Sequence, residues 1–280
     1  MTIENVHTAI GMLESIDPTD EYAYEKAFLA YKTIKKLPVF INSIEYPIEV
    51  FRARTSFDNI FYENVNDISL PPHGVITSYA RCNKPFQSKF YCAENRPTSY
   101  IELTEYWATS REVGEKLYVT IGRWSIKRPF TTIIVTSPYP DQRRSTFDIY
   151  HGQAFDQILN QYDGEFKEAN IMLYDYLFKK FRKSAKNDRH TYLVTSTYCN
   201  IAMCGPENFD AIYYPSVPFG ETGVNFAFNS QFIKKDNIEI LGVLRDEFEV
   251  YINDEGKKSF LQTNSLEAER VVSDSDLIIW

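Results

Sequence analysis

Histidine and cysteine are scarce in this sequence, with four of each in 280 residues. Cys82, Cys92, Cys199 and Cys204 fall at none of the spacings of a zinc site, so no metal is predicted. No stretch approaches the roughly 20 apolar residues that span a bilayer, which argues against a membrane protein. The first residues lack a basic start followed by an apolar run, so no export signal is expected. A disulfide framework is not expected without one, and the expectation is a cytoplasmic protein. An excess of positive charge is missing too. The net charge of -8 argues against general binding to nucleic acid or to an acidic membrane surface. There is no internal repeat and no low-complexity segment.

Aromatic side chains are abundant, with 20 Phe and 20 Tyr, enough for a sizeable core. Residues 1–16 carry Val6, Ile10 and Leu13 at helical spacing. Asp17-Pro18 reads as an N-cap and first helical residue, opening a helix that runs to Lys35-Lys36 before Pro38. Its apolar face holds Tyr24, Ala27, Phe28, Tyr31 and Ile34. Period-two runs predict strands at 50–54, 88–93, 117–121, 131–135, 192–194, 210–214, 224–228 and 238–250. Helices are predicted over 100–115, 147–159 and 166–181, with a brief one capped by Thr195 or Ser196. The basic run 179–189 is read as a solvated helix C-terminus. The last thirty residues are acidic and predict a hairpin with a frayed end. Strands and helices alternate without a regular βα period, which points to α+β.

Residues 79–103, YARCNKPFQSKFYCAENRPTSYIEL, concentrate polar groups around a turn, a strand and a helix start. Thr98 or Ser99 is the expected helix cap, and Ser99 with Glu102 has the spacing of a capping box. Glu102 is therefore either a capping carboxylate or a carboxylate facing a cleft. Arg52 and Arg54, two apart on one strand, share a face. Arg81 is by itself read as solvated or salt-bridged, and Tyr91 equally as core. Cys82 and Cys199 lie beside polar groups, but no histidine is close in sequence to activate either thiol.

Taken in order, FRAR, AR-x-N, the FYC strand before a Glu-bearing helix, YPS and G-x-N-x-A resemble the RES domain family over roughly residues 46–245. The early arginine matches Arg52, with Arg54 its rival. The turn matches Arg81 and Asn83, the strand aromatic Tyr91, and the helix acid Glu102. The later pieces match Tyr214-Pro215-Ser216 and Asn225. Ala80 and Ala211 stand where the family has glycine, which costs energy if either position needs φ > 0. The matched span divides the chain into an N-terminal helical extension (1–45), a catalytic domain (46–245) and an acidic extension (246–280).

The resemblance implies a fold like that of the ADP-ribosyltransferases, a split mixed β-core with surrounding helices. It also implies a toxin that cleaves the nicotinamide–ribose bond of NAD by hydrolysis or phosphorolysis, paired with an antitoxin protein. A protein ADP-ribosyltransferase and a non-enzymatic nucleotide- or partner-binding module on the same fold remain the alternatives, and homo-oligomerisation is open. Bond cleavage develops positive charge on the ribose while nicotinamide leaves neutral. The chemistry therefore calls for a carboxylate near the sugar and firm anchoring of the diphosphate. Under the resemblance Glu102 is that carboxylate, with Arg81 and Tyr91 as its catalytic companions. Arg81 and Arg52 or Arg54 hold the diphosphate. Asn83, Ser216 and Asn225 complete the NAD-binding set.

Overall fold

The structure, a computed structural model, describes the chain except residues 46, 57, 144, 184–187, 206–207 and 217–222. The side chains of Glu102, Glu105, Tyr106, Thr146 and Phe147 also lie outside the description. The first half of the chain runs α1 (Ile3–Glu14), α2 (Ala23–Lys32), β1 (Ile41–Ile44), β2 (Ile48–Ser56), α3 (Val65–Ile68), β3 (Lys89–Ala93), α4 (Arg96–Thr109), β4 (Lys116–Ile126) and β5 (Phe130–Ile134). The second half runs α5 (Thr146–Leu159), α6 (Gly164–Arg182), α7 (Arg189–Met203), β6 (Ala211–Pro215), β7 (Val224–Asn229), β8 (Ile238–Ile252), β9 (Lys258–Glu267), β10 (Arg270–Val272) and β11 (Leu277–Ile279). The fold is α+β.

Two compact units share these elements, each assembled from three stretches of chain. The first takes residues 1–44, 72–89 and 130–229, the second 45–71, 90–129 and 230–280.

In the first unit β1 pairs antiparallel with β5, β5 parallel with β6, and β6 antiparallel with β7. Thr2 caps α1 by accepting the Asn5 N–H, and Val6, Ala9 and Leu13 are buried. The second helix starts later than Asp17-Pro18 suggests. The Asp17 carboxylate accepts from the Thr19 N–H and hydroxyl, and Asp20 accepts from the Tyr22 N–H, so both acids close local turns and the helix opens at Ala23. It ends at Lys32 with Thr33 as C-cap, and Lys35 follows at φ 64. Of the expected inner face Ala27, Tyr31 and Ile34 are buried and Tyr24 and Phe28 only half-buried; Ala30 is buried as well, and the Tyr31 hydroxyl donates to the Val194 carbonyl.

A larger correction concerns residues 192–194, which are not a strand. They lie inside α7, whose cap is Asp188 rather than Thr195 or Ser196. Nearly every residue from Leu193 to Met203 is buried, so this helix has no polar face to give a 3.6-residue signal. Its hydroxyls donate back along the helix, Thr195 to the Thr191 carbonyl and Thr197 to the Leu193 carbonyl, which satisfies them without water.

The second unit is antiparallel, with β3 and β4 on either side of β2, β8 beyond β4 and β9 beyond β8. Trp107 and Ala108 of α4 pack on Leu117, Val119, Ile121, Phe248 and Val250 of this sheet. The chain end is not frayed. β10 and β11 form the expected hairpin, and the Trp280 indole N–H donates to the Tyr62 carbonyl while its ring meets Phe61 edge-on. Among the described residues no helix is long and apolar enough to cross a membrane.

One glycine decides how α5 is held. Arg143 is buried, donates through Nε to the Ser137 carbonyl, and forms a two-pronged pair with Asp156 at 2.7 Å on both oxygens. A β-carbon on Gly152 would fall 2.1 Å from Arg143 Nε. Gly152→Ala gains about 1 kcal/mol of helix propensity. It also displaces a charged hydrogen-bonded pair worth about 1.5–3 kcal/mol. A net loss of about 0.5–2 kcal/mol is expected in urea denaturation, against the gain that helix propensity alone gives.

Candidate functional site

Arg81 is 5% exposed, in a turn closed by the Ala80 N–H donating to the Asn83 carbonyl at 3.0 Å. Its guanidinium lies at the C-terminus of α6. Nη1 donates to the Phe181 carbonyl, and both Nη atoms reach the Lys183 carbonyl at 3.3–3.4 Å. Positive charge there complements the negative end of the helix dipole. The same guanidinium sits 5.7 Å from the ring centroids of Tyr192 and Tyr214.

That second ring joins the turn to the YPS segment. Tyr214 stands directly opposite Asn225 in the β6–β7 ladder, and opposite residues of an antiparallel pair share a face. Ser216, two residues on, falls on the same side, and its N–H donates to the Gly223 carbonyl at 2.7 Å. Four residues of the sequence pattern, Arg81, Tyr214, Ser216 and Asn225, thus collect on one side of this ladder. The Ser216 hydroxyl is buried, 1% exposed, with no hydrogen-bond partner among the described residues. Asn83 is buried beside them in sequence, and its side-chain amide donates to the Lys84 carbonyl. Residues 217–222, which follow YPS, lie outside the described ones.

The glycine replacements are harmless to the backbone, since neither Ala80 nor Ala211 has positive φ. All four cysteines are free; burial pushes the Cys199 thiol well above its usual range and Cys92 upward as well, which disfavours a thiolate at either, and Cys204 is exposed.

In the second unit the arginine doublet works on the main chain. Arg52 donates through Nε to the Ser69 carbonyl at 2.9 Å and through Nη1 to the Tyr91 carbonyl at 2.8 Å, lying over the Phe90 ring. Burial lowers its pKa to about 10. Arg54 donates to the Asp67 carbonyl and lies over the Tyr62 ring. Both clamp the segment around α3 to β2. Arg52, Arg54 and Arg81 thus direct these donors at carbonyl oxygens, an arrangement that anchors loops and helix ends. Tyr91 is half-buried in β3.

The helix carrying Glu102 begins earlier than Thr98 or Ser99 suggests. Asn95 is the N-cap and accepts the Thr98 N–H at 2.9 Å, with Pro97 in the first turn. Glu102 therefore stands in the second turn, and the capping box with Ser99 does not form. The Glu102 side chain lies outside the described residues. Glu94, just before this cap, is a carboxylate that the sequence reading passes over. It is half-buried, and burial raises it to about 7. Its only sequence signal is its place between an apolar strand and a capping asparagine. Among the described residues no group of three or more His, Cys, Asp or Glu is placed to hold a metal ion.

Comparison of the chain with models of known protein families gives no match, and comparison with curated proteins gives none either.

A carboxyl raised by burial binds its proton more tightly folded than unfolded. The contribution of Glu94 to stability is therefore full below about pH 4.5 and is lost as the pH rises towards 7. Urea midpoints are expected to fall over that interval for the native chain. In Glu94→Gln that component of the slope is absent, and the variant is the more stable of the two at about pH 8. Identical pH profiles for the two chains would show that the carboxyl is not buried as described.

Proposed function

We propose that the protein cleaves the nicotinamide–ribose bond of NAD, with water or phosphate as acceptor, and acts as a growth-inhibiting toxin. One observation carries this reading: the buried Ser216 hydroxyl, without a hydrogen-bond partner among the described residues, on the side of the ladder that also bears Tyr214 and Asn225. A buried hydroxyl without a partner costs about 1–3 kcal/mol, and a ligand hydroxyl is the kind of group that satisfies it. Ser216 and Asn225 hold ribose hydroxyls in this reading. Arg81 fixes the wall on which they stand.

The reaction breaks the bond between ribose C1′ and the nicotinamide ring nitrogen. The bonding pair leaves with nicotinamide, which departs neutral and needs no proton. The positive charge it leaves on the ribose is what a carboxylate stabilises. Under the resemblance that carboxylate is Glu102. The acceptor then adds at C1′ and loses its proton to solvent. Diphosphate anchoring is not assigned to Arg52, Arg54 or Arg81, whose hydrogen bonds described above go to main-chain carbonyls. The resemblance supplies the remaining elements, Tyr91 beside nicotinamide and an antitoxin protein as partner.

Incubating the purified protein with NAD, with and without phosphate, is expected to release nicotinamide. Glu102→Gln abolishes the release. Ser216→Ala lowers kcat/KM by about tenfold to a hundredfold, the worth of one to two hydrogen bonds. Because the hydroxyl has no partner among the described residues, Ser216→Ala is expected to leave the melting temperature unchanged or to raise it. Undiminished release from Glu102→Gln removes the assignment.

A further inference from the structure

The second unit contains a cavity of about 250 Å³ walled by α3, the end of β4, the turn into β8 and the turn between β10 and β11. Its floor is apolar. Val65, Trp124 and Ile238 are buried there, and Ile233 and Ile240 are half-buried. The indole of Trp124 is the largest of these side chains, and its place is set from two sides. Phe90 meets it edge-on, with 5.4 Å between ring centroids. Gly122, two residues before it on β4, leaves room for it, since a β-carbon there would fall 2.4 Å from the indole nitrogen. The walls are tied together through the main chain. The Val65 N–H donates to the Asp276 carbonyl and the Lys127 N–H to the Asn237 carbonyl, both at 2.8 Å. Asn237 also closes the turn before β8: its N–H donates to the Lys234 carbonyl at 2.8 Å, and its side-chain amide to the Phe232 carbonyl at 2.7 Å. The cavity is therefore formed without a ligand, as small-molecule sites usually are.

Charge around it is unbalanced. Lys127, Lys234 and Lys235 line the cavity against two carboxylates, Glu239 and Asp276. Lys235 pairs with Asp276 at 2.9 Å, and Lys127 lies 3.6 Å from Glu239. Lys234 is exposed and has no ion pair among the described residues. An apolar floor beside one uncompensated ammonium suits a molecule with an apolar body and a single negative charge. The volume falls just below the roughly 300–1,000 Å³ of drug-sized sites, which fits one ring or a short chain and not a dinucleotide. We infer that this cavity binds a small organic acid, its carboxylate on Lys234 and its apolar body against Trp124 and Ile238. The lining residues all belong to the second unit, whereas Tyr214, Ser216 and Asn225 belong to the first, so the inference does not rest on NAD cleavage.

The test is calorimetric titration of the full chain with three probes. Phenylpropionate carries both features, phenylpropanol keeps the body without the charge, and acetate keeps the charge without the body. Phenylpropionate is expected to bind with a Kd of about 0.1–1 mM. It binds about fivefold more tightly than phenylpropanol and about tenfold or more above acetate. Lys234→Gln, an exposed change that leaves the melting temperature as it is, brings the acid to the affinity of the alcohol and leaves the alcohol unaffected. In proton–nitrogen correlation spectra the Trp124 indole signal, identified by its loss in Trp124→Phe, moves during the titration, while those of Trp107 and Trp280, which do not line the cavity, stay in place. The Lys234 comparison does not depend on that second variant folding. A native chain that binds no phenylpropionate overturns the inference. So does equal binding of the acid and the alcohol, a Lys234→Gln variant that binds the acid like the native chain, or a Trp124 signal that does not move.

Discussion

A single guanidinium settles several questions at once in the first unit. The last turn of α6 leaves carbonyls with no partner in the helix, and burying them bare would cost several kcal/mol together. Arg81 meets them with donors and with charge of the right sign. In doing so it fixes the 80–83 turn against the end of a helix a hundred residues further on, and it rests on the ring of Tyr214. The position of that tyrosine then sets where Ser216 and Asn225 stand. Arg81, Tyr214, Ser216 and Asn225 are, on this view, first a packing assembly.

The second unit solves the same problem with Arg52 and Arg54, which hold the loop around α3 through its carbonyls. Three arginines expected from the sequence to bind a diphosphate thus share another use. Guanidinium forks fit main-chain oxygens as well as phosphates. An arginine at a strand end is therefore weak evidence for a phosphate unless its donors face open space.

How legible the fold was depended on whether a segment had two unlike sides. Strands β2, β3, β6 and β7 were readable because their alternation or their flanking turns were intact. Helix α7 was not, because burial on every side erased its period and its Thr and Val residues carried a strand signature. The start of α4 was misplaced because Asn95, Thr98 and Ser99 all suit a cap. Pro97 decides it, since proline belongs in the first turn and so points upstream to Asn95. Candidate residues could be named as chain positions. Their partners could not: no local rule connects Arg81 to Phe181 or predicts that the Ser216 hydroxyl finds no partner among the described residues. Phe86 shows the reverse case. The Lys-Pro-Phe-Gln turn was visible, but the positive φ of Phe86, 60°, could not be read from its sequence.

The division of the chain into interleaved units has a consequence for synthesis. All residues of the first unit have been made by position 229, whereas the second needs β8 and β9 from the final stretch. A chain emerging from its N-terminus can therefore close the first unit while β4 still lacks its outer neighbour β8. The strand most exposed to wrong pairing in that interval is β4, which holds one side of its ladder open until β8 arrives.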